Sequence, residues 1–491
     1  MSTDFKKVMS NFEELVERTR RTNQKINPPL GDPEDFMIEP DCAPHSLDAK
    51  PKKRLNELYP NIAHYRQIPT ELYTSHEVMK KEWETLWQKT WLVTGRASDI
   101  PEIGDWFKFD SGPESFIITR SSEDSVHAMY NVCRHRGNRL VNEDFGKGAK
   151  SFTCNYHSWM FTLEGKNARI TDRETFAPEI LCQNLDLPTV KTHIWGGFVF
   201  INIDENPIPF EEYMGEMIRI MGPYKMENMH VIKDTQMVMP ANWKTTLDAF
   251  QEMYHLHQTH PQGVYTIDDH FGQYDFFKNG HNRMIVPRGL VSKRQKDHET
   301  VNEFLKIMLR DAGIDPETFL GKADDVREAI KQKKRKPDNA FGLDYSEMSD
   351  SQVVDNWNIT WFPNVTFNAY PEGMLVQRFR PHPTDPNLSI YDITVLSAKL
   401  KPGARKPFVF SATFGVDPDA DISGETRPER EYTDMDNTKM GRLLDQDIEQ
   451  LTGVQAGLGS KALGNKIVLS EQERRLQQFY AEYDLHVKGF K

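Results

Sequence analysis

The sequence predicts an α+β protein: a β-rich N-terminal half, then a C-terminal half in which strands and helices mix. Three observations carry this. From 90 to 204 the chain is a series of short β-branched or aromatic runs (WLVTG, DWFKFD, SFIITR, SVHAMYNVC, SFTCNYHSWMFTL, WGGFVFINID), each bounded by Gly, Pro, Asp or Ser. From 211 onward helical periods alternate with strands, which return at WNITWFPNVTFNAY, GMLVQRFRPHP and SIYDITVLSAKL. At 491 residues the chain also exceeds what one hydrophobic core organises, so two or three domains are expected.

Taken in order, residues 4–22 form an amphipathic pattern, with Phe5, Val8, Phe12, Leu15 and Val16 at helical spacing. Such a helix is expected to pack on the body or on a neighbouring subunit. Residues 24–55 are rich in Pro, Asp and Lys and read as an extended arm. Thr74-x-x-Glu77 is a capping box opening a helix that turns Met79, Trp83 and Leu86 inward. ENPIPF at 205–210 marks a boundary, dividing the chain into a helix and arm (1–56), a β-rich domain (57–205) and a mixed domain (206–491). Segment 321–343 is dense in charge and is expected to be a solvated excursion of the last domain. Helices at 433–458 and 470–484 close the chain.

Net charge is −12, from 61 basic and 73 acidic residues, which argues against a nucleic-acid or membrane-surface binder. No N-terminal apolar stretch and no run of membrane-spanning length is present, so no membrane span is expected. Four cysteines (42, 133, 154, 182) do not make a disulfide framework, and the expectation is a cytoplasmic protein with reduced thiols.

Half of those cysteines stand beside histidines, as Cys133-x-His135 and Cys154-x2-His157, with eighteen residues between the pairs. Gly137, Gly148 and Ser158 lie where tight loops need small residues. Three readings compete. Cysteines can be small core hydrophobes, but two matched Cys/His pairs argue against chance. A structural zinc would take two Cys and two His, usually with like ligands adjacent in sequence. A Rieske [2Fe–2S] centre takes one Cys and one His from each loop, which this spacing fits.

NVCRHRGNRL and CNYHSWMFTLEGK, with the WxxxGxxxxIPxxGDW region in register, resemble the large (alpha) subunit of the Rieske non-haem iron oxygenases of the aromatic-ring-hydroxylating type. Trp159 and Gly165 match the second cluster loop of that family. Ser158 departs from it, since the residue after the second cluster histidine is usually Gly; a serine there could donate a hydrogen bond near the cluster and tune its potential.

An oxygenase also needs an iron with open positions, held by two His and one carboxylate. Residues 241–261, ANWKTTLDAFQEMYHLHQTHP, resemble the family's mononuclear iron motif, with His255-x4-His260. Read as a helix, Trp243, Leu247, Phe250 and Tyr254 make an apolar stripe, and Asp248, Glu252 and His255 a polar one beside it. Asp248 is expected to support the site, or to be solvated or capping. His255 and His260 lie about 140° apart on an ideal helix, so the helix must end or distort near 257–260, where Pro261 follows. His257 lies about 200° from His255 and reads as a packing or surface histidine.

The resemblance places the third ligand on a late helix. In MGRLLDQDIEQLTGVQAGL, Met440, Leu444, Leu451, Val454 and Leu458 form an apolar stripe whose gap Asp447 fills. A carboxylate there needs a cation, iron or an arginine. Asp445 and Glu449 read as solvated. Gln446-Asp447 and Gln455-Ala-Gly-Leu458 follow the family pattern, although Thr452 stands where Glu is frequent.

The resemblance implies an N-terminal β-rich Rieske [2Fe–2S] domain and a C-terminal catalytic domain with an antiparallel sheet and flanking helices. It implies one [2Fe–2S] cluster on Cys133, His135, Cys154 and His157, with Trp159 beside it, and one mononuclear Fe(II) on His255, His260 and Asp447. It also implies a head-to-tail ring of three subunits, alone or as α3β3, with Glu252 bridging the cluster of one subunit to the iron of the next. Electrons would come from NAD(P)H through a flavin reductase, with or without a ferredoxin. The expected reaction is mono- or dihydroxylation of a hydrophobic aromatic or polycyclic substrate by O2. O- or N-demethylation is the alternative, and a Rieske electron carrier without oxygenase activity a more distant one. Residues 250–300 and 355–395, rich in aromatics, are expected to line the pocket. Arg288, Lys293 and Arg294 are candidates for a substrate carboxylate, with solvated charge as the plainer reading.

Overall fold

The computed structural model describes residues 10, 12–16, 51–269, 272–438 and 440–491. Residues 24–50 of the expected arm, Cys42, and Phe5 and Val8 of the first helix lie outside the described residues; the end of the arm is not extended but opens a helix, Pro51–Leu58. Phe12, Leu15 and Val16 do fall on a short helix (12–16), with Glu13 and Glu14 on its exposed side.

The N-terminal strands are β1 (Gln67–Pro69), β2 (Leu92–Arg96), β3 (Trp106–Ser111), β4 (Glu114–Ser122), β5 (Ser125–Tyr130), β6 (Phe145–Gly146), β7 (Phe152–Thr153), β8 (Met160–Phe161), β9 (Asn167–Arg169), β10 (Thr189–Trp195) and β11 (Phe198–Asn202). They make a seven-stranded sheet in the order β2-β11-β10-β5-β4-β3-β6 and a three-stranded sheet β7-β8-β9. β11 (FVFIN) is buried at every position, as a continuous apolar run between two neighbours should be.

The C-terminal strands are β12 (His230–Met239), β13 (Gln273–Phe276), β14 (Asn282–Val286), β15 (Asn356–Trp361), β16 (Val365–Tyr370), β17 (Gly373–Pro381), β18 (Ser389–Ser397), β19 (Glu431–Thr433) and β20 (Lys466–Val468). Eight of them form the sheet β13-β14-β15-β16-β17-β18-β12-β19, antiparallel except for the β12–β19 pair. The α+β expectation therefore holds. One core runs between the two large sheets, joining Phe116 and Ile118 to Phe379, Tyr391 and Ile393. No helix among the described residues is long and apolar enough to cross a membrane.

Several elements differ from expectation for physical reasons. The helix expected at Thr74 starts one residue later: Ser75 accepts the N–H of Val78 at 3.3 Å, while Thr74 donates its hydroxyl to the carbonyl of Thr70. Leu86 is buried, but Met79 and Trp83 only partly so. Residues 321–343 are not a solvated excursion. Val326–Lys334 is a helix whose Val326 and Ile330 enter a small core with Leu305, Leu309 and Val353. The late helix runs Arg442–Leu458, not from 433. It cannot begin sooner because Gly441 (φ +123°) packs its backbone on Gly415, where a Cβ would meet atoms at 2.4–2.8 Å. The last helix runs Arg474–Val487, after a turn capped by Ser470 and Glu473.

Residues 57–87 pack with the C-terminal helix. Tyr59 donates to Glu482 (2.8 Å), Tyr65 to Asp484 (2.9 Å), and β1 pairs with β20. The boundary expected at 57 thus divides chain that is joined to the C-terminal body.

Candidate metal and substrate site

The Cys/His loops are two matching turns. The N–H of Gly137 returns to the carbonyl of Cys133 (3.0 Å), and that of Ser158 to the carbonyl of Cys154 (2.9 Å). The closing residue is left-handed in both, Gly137 at φ +77° and Ser158 at φ +57°. Glycine adopts that conformation freely and serine does not. Ser158 is exposed, and its recorded bond is this backbone one. Ser158→Gly is therefore expected to stabilise the fold by about 1 kcal/mol, read as a higher thermal midpoint with an unchanged visible spectrum. A lower midpoint would mean that the hydroxyl contributes more than the strain costs.

The four side chains sort by type. The Cys133 and Cys154 thiols contact one another. The His135 and His157 rings lie 4.6 Å apart. Trp159, buried, stacks on His135 at 5.1 Å and 10°. Burial pushes the Cys133 thiol up; at Cys154 burial is outweighed by the N–H groups of Tyr156 and His157, which pull it down. Burial, with His157 and Arg136 adding, lowers His135. Nδ1 of both histidines is buried and without a partner among the described residues. The four donors do not converge on one point, since the sole set of three donors within 4.8 Å among the described residues is elsewhere. A single tetrahedral zinc would need them to converge. Two thiols together and two imidazoles together suit a two-iron cluster.

That other set is His255, His260 and Asp447. The helix expected to carry the first two reaches neither of them. It spans Trp243–Asp248, capped by the Asn242 side chain, and only a short turn, Leu256–Thr259, follows. The break comes early because Asp248 is captured, not solvated: its carboxylate accepts from Tyr73 (2.9 Å) and Tyr480 (2.9 and 3.1 Å). Burial raises that carboxyl to about 7 against the pull of both hydroxyls. Asp248 does not line the cavity described below. Tyr254, expected in the apolar stripe, is 48% exposed as a result. Glu252 organises the next turn, accepting the backbone N–H of His255 (3.1 Å) and bonding its ring Nδ1.

His255 Nε2 and His260 Nε2 are 3.3 Å apart, and Asp447 Oδ1 lies 3.4 and 2.9 Å from them. Ligands about 2.1 Å from one ion and at right angles have edges of about 3.0 Å, so the set fits a metal with positions left open. Each imidazole is held from behind. Glu252 takes Nδ1 of His255; the Gln446 amide oxygen takes Nδ1 of His260 at 2.9 Å and the Gln262 amide at 2.8 Å. Such partners present Nε2 as the free donor. Burial disfavours charge on His255, yet Glu252 and Asp447 outweigh it and raise the ring to about 9. The carboxylates call for a cation at this point.

Asp447 lies on the buried face of its helix with Leu444, Ile448 and Leu451, whereas Val454 is 50% exposed. Asp445 is half-buried rather than solvated, and burial raises its carboxyl. Glu449 is exposed. His257 is half-buried, with Nδ1 3.9 Å from Asp269.

The triad borders a mostly apolar cavity of about 160 Å³. Segments 249–288 and 356–370 line it, and so do Phe12, Phe304, Met308, Phe408, Thr413 and Leu443, which lie outside the expected stretches. Trp357 and Trp361 of the aromatic stretches belong to the core, while Asn356 and Asn358, on either side of Trp357, face the cavity. Of the three cations, Arg288 lines it, Arg294 is buried against Asp269 (2.6 Å) instead of solvated, and Lys293 is exposed. Sequence reasoning missed the positioning roles of Gln446 and Gln262; the adjacency of Gln446 to Asp447 was the available signal.

Residues 226–489 match the family described as ring hydroxylating alpha subunit (catalytic domain), and residues 90–189 match the Rieske [2Fe–2S] domain. The chain is 31% identical over 209 residues to the glycine betaine monooxygenase oxygenase subunit of Pseudomonas aeruginosa, covering 42% of this chain and 47% of that protein. It thus spans about half the length of such curated relatives. Its fold is similar to a quaternary ammonium Rieske monooxygenase in complex with L-carnitine (TM-score 0.59, 19% identity, 86% of this chain and 97% of that one). It is similar also to naphthalene 1,2-dioxygenase with indole in the active site (TM-score 0.60, 18% identity, 86% and 92%).

Proposed function

Because this chain belongs to the ring-hydroxylating alpha-subunit family, we propose that it is the terminal oxygenase of a multicomponent system and acts as a monooxygenase, hydroxylating or demethylating a small substrate. The observation that carries this is the His255–His260–Asp447 set at the wall of an apolar cavity. The similarity to a betaine monooxygenase favours one-oxygen chemistry over ring dihydroxylation.

An iron held there supplies O2 activation, with electrons from the cluster on Cys133, His135, Cys154 and His157. Glu252 and Gln446 keep the two rings from turning and hold their Nδ1 protons, so the Nε2 lone pairs stay aimed at one point. Asp447 supplies the compensating charge. The apolar lining keeps bulk water from the reacting carbon. The overall balance is a C–H bond, O2, two electrons and two protons giving C–OH and water. On an N- or O-methyl group the carbinol then loses formaldehyde, the broken bond's electrons and a proton staying on the heteroatom. Glu252, bonded to Nδ1 of His255, would link that ring to a neighbouring chain's cluster in a ring of three. A flavin reductase, with or without a ferredoxin, would draw the electrons from NAD(P)H.

Iron and sulfide analysis with the reduced-state EPR spectrum tests both metal sites: three irons per two sulfides and a Rieske signal are expected. Two irons would leave only an electron carrier, and zinc without colour would end the reading. Formaldehyde equal to O2 consumed identifies demethylation. A second reading, dihydroxylation of an arene, is favoured by the aromatic lining (Phe12, Phe250, Phe304, Tyr370, Phe408); it requires both atoms of labelled O2 in the product and no formaldehyde.

The cavity's size suits one ring or a chain of similar bulk, since about 150 Å³ holds a benzene. Phe12 sets that limit, standing edge-on to Phe304 (5.8 Å) and Phe408 (5.0 Å). Phe12→Ala is expected to raise O2 uptake with two-ring compounds, relative to their one-ring counterparts, by about fivefold or more. An unchanged ratio would show that the 12–16 helix does not bound the cavity in solution.

A further inference from the structure

One face of the C-terminal sheet forms a wall of the cavity. Pairing aligns Met284, Asn358 and Asn368 in one cross-strand row, and strand alternation turns Asn356 and Tyr370 to the same face. Arg288, just beyond β14 and half-buried, lines the cavity beside them, with its guanidinium bonded to the Tyr370 side chain and 5.2 Å from that ring's centroid. No carboxylate among the described residues lies within ion-pair distance of that guanidinium. Asp355, the nearest in sequence contact, accepts the Arg288 backbone N–H (3.2 Å) but gives its carboxylate to Arg327 at 2.9 and 2.8 Å. Buried Asp311 accepts the Phe408 N–H (2.9 Å) and interacts with the Lys334 and Arg288 charges from beyond ion-pair distance. The carboxylates among the described lining residues, Glu252 and Asp447, are both turned to the iron-site histidines.

A second donor stands on the same face. Asn368 Oδ1 accepts from Asn356 (2.8 Å) and Asn358 (3.2 Å), which fixes its amide and leaves Nδ2 without a partner among the described residues. A guanidinium held at Tyr370 and a fixed N–H donor, on a wall whose carboxylates are both engaged elsewhere, together present donors to an anion.

We propose that Arg288 anchors a carboxylate on the substrate, with Asn368 as a second donor, so that the substrate is a small, mostly apolar acid or zwitterion. A planar guanidinium matches a carboxylate with two parallel bonds. The cavity that holds this anchor also holds the triad, so one molecule of its size reaches both. The assignment rests on the oxygenase reading and narrows its substrate class.

Calorimetric titration of the iron-loaded enzyme tests it. The probes are phenylacetate, 3-phenylpropionate, 4-phenylbutyrate and γ-trimethylaminobutyrate, each against its primary amide. At least one acid is expected to bind about tenfold or more tighter than its amide. Arg288→Gln removes that preference, and Arg288→Lys keeps part of it. Acid and amide indistinguishable throughout, including no binding by either, overturns the proposal. So does a preference that survives Arg288→Gln, which would place the carboxylate on the iron instead. Iron content and the EPR signal of the same samples separate this from failure of the oxygenase reading: that failure would lose the metal signals while the Arg288-dependent preference stayed.

Discussion

Asp447→Ala is expected to release the mononuclear iron, leave the cluster's absorption and EPR signals intact, and reduce substrate-dependent O2 uptake by at least about a hundredfold. The side chain is buried, and its recorded ion pairs are to His255 and His260. Its loss leaves two imidazoles, too few donors and no carboxylate ligand to hold a divalent ion in a mostly apolar cavity. Glu449→Ala, two residues on and exposed, is the control and should keep full iron. Full iron retention in Asp447→Ala would remove Asp447 from the ligand set and leave the cavity wall without its proposed chemistry.

Lys244→Met is expected to be the most destabilising single change, at about 3–5 kcal/mol. Glu82 is buried and accepts three bonds: from Lys244 Nζ at 2.5 Å, Tyr483 OH at 2.6 Å and Trp243 Nε1 at 3.0 Å. Two of the donors open the helix that leads to the iron histidines, and the third lies on the last helix. Without the ammonium, a buried carboxylate keeps only neutral donors. The double change Glu82→Met with Lys244→Met should recover more than half of the loss, because it removes both charges. Urea unfolding of the three proteins checks this. A single variant as stable as the parent would show that water or another cation reaches Glu82.

The cluster loops were legible because each Cys/His pair closes within one turn, so spacing alone reports geometry. Asp447 was legible as a gap in an apolar stripe. The helix break at 249 was not, since it depends on Tyr73 and Tyr480, 175 and 232 residues from Asp248. Arg288 and Arg294 looked alike in sequence. Only long-range packing gave one a buried partner in Asp269 and the other a cavity. In 321–343 the charge masked Val326 and Ile330, whose i, i+4 spacing already marked one helix face.

The clasp between residues 57–87 and the C-terminal helix bears on how the protein is made. Tyr59 waits for a partner 423 residues away and Glu82 for one 401 away. At the pace of translation, these segments leave the ribosome long before their partners exist. The β-rich half, whose strands from β2 to β11 pair among themselves, can fold while the chain is still growing. The iron pocket cannot: its helix is fixed through Glu82 and Asp248 to Tyr483 and Tyr480 of the helix Arg474–Val487. Cluster assembly and iron loading are therefore separable in time, with the mononuclear site becoming competent only after the helix Arg474–Val487 has docked.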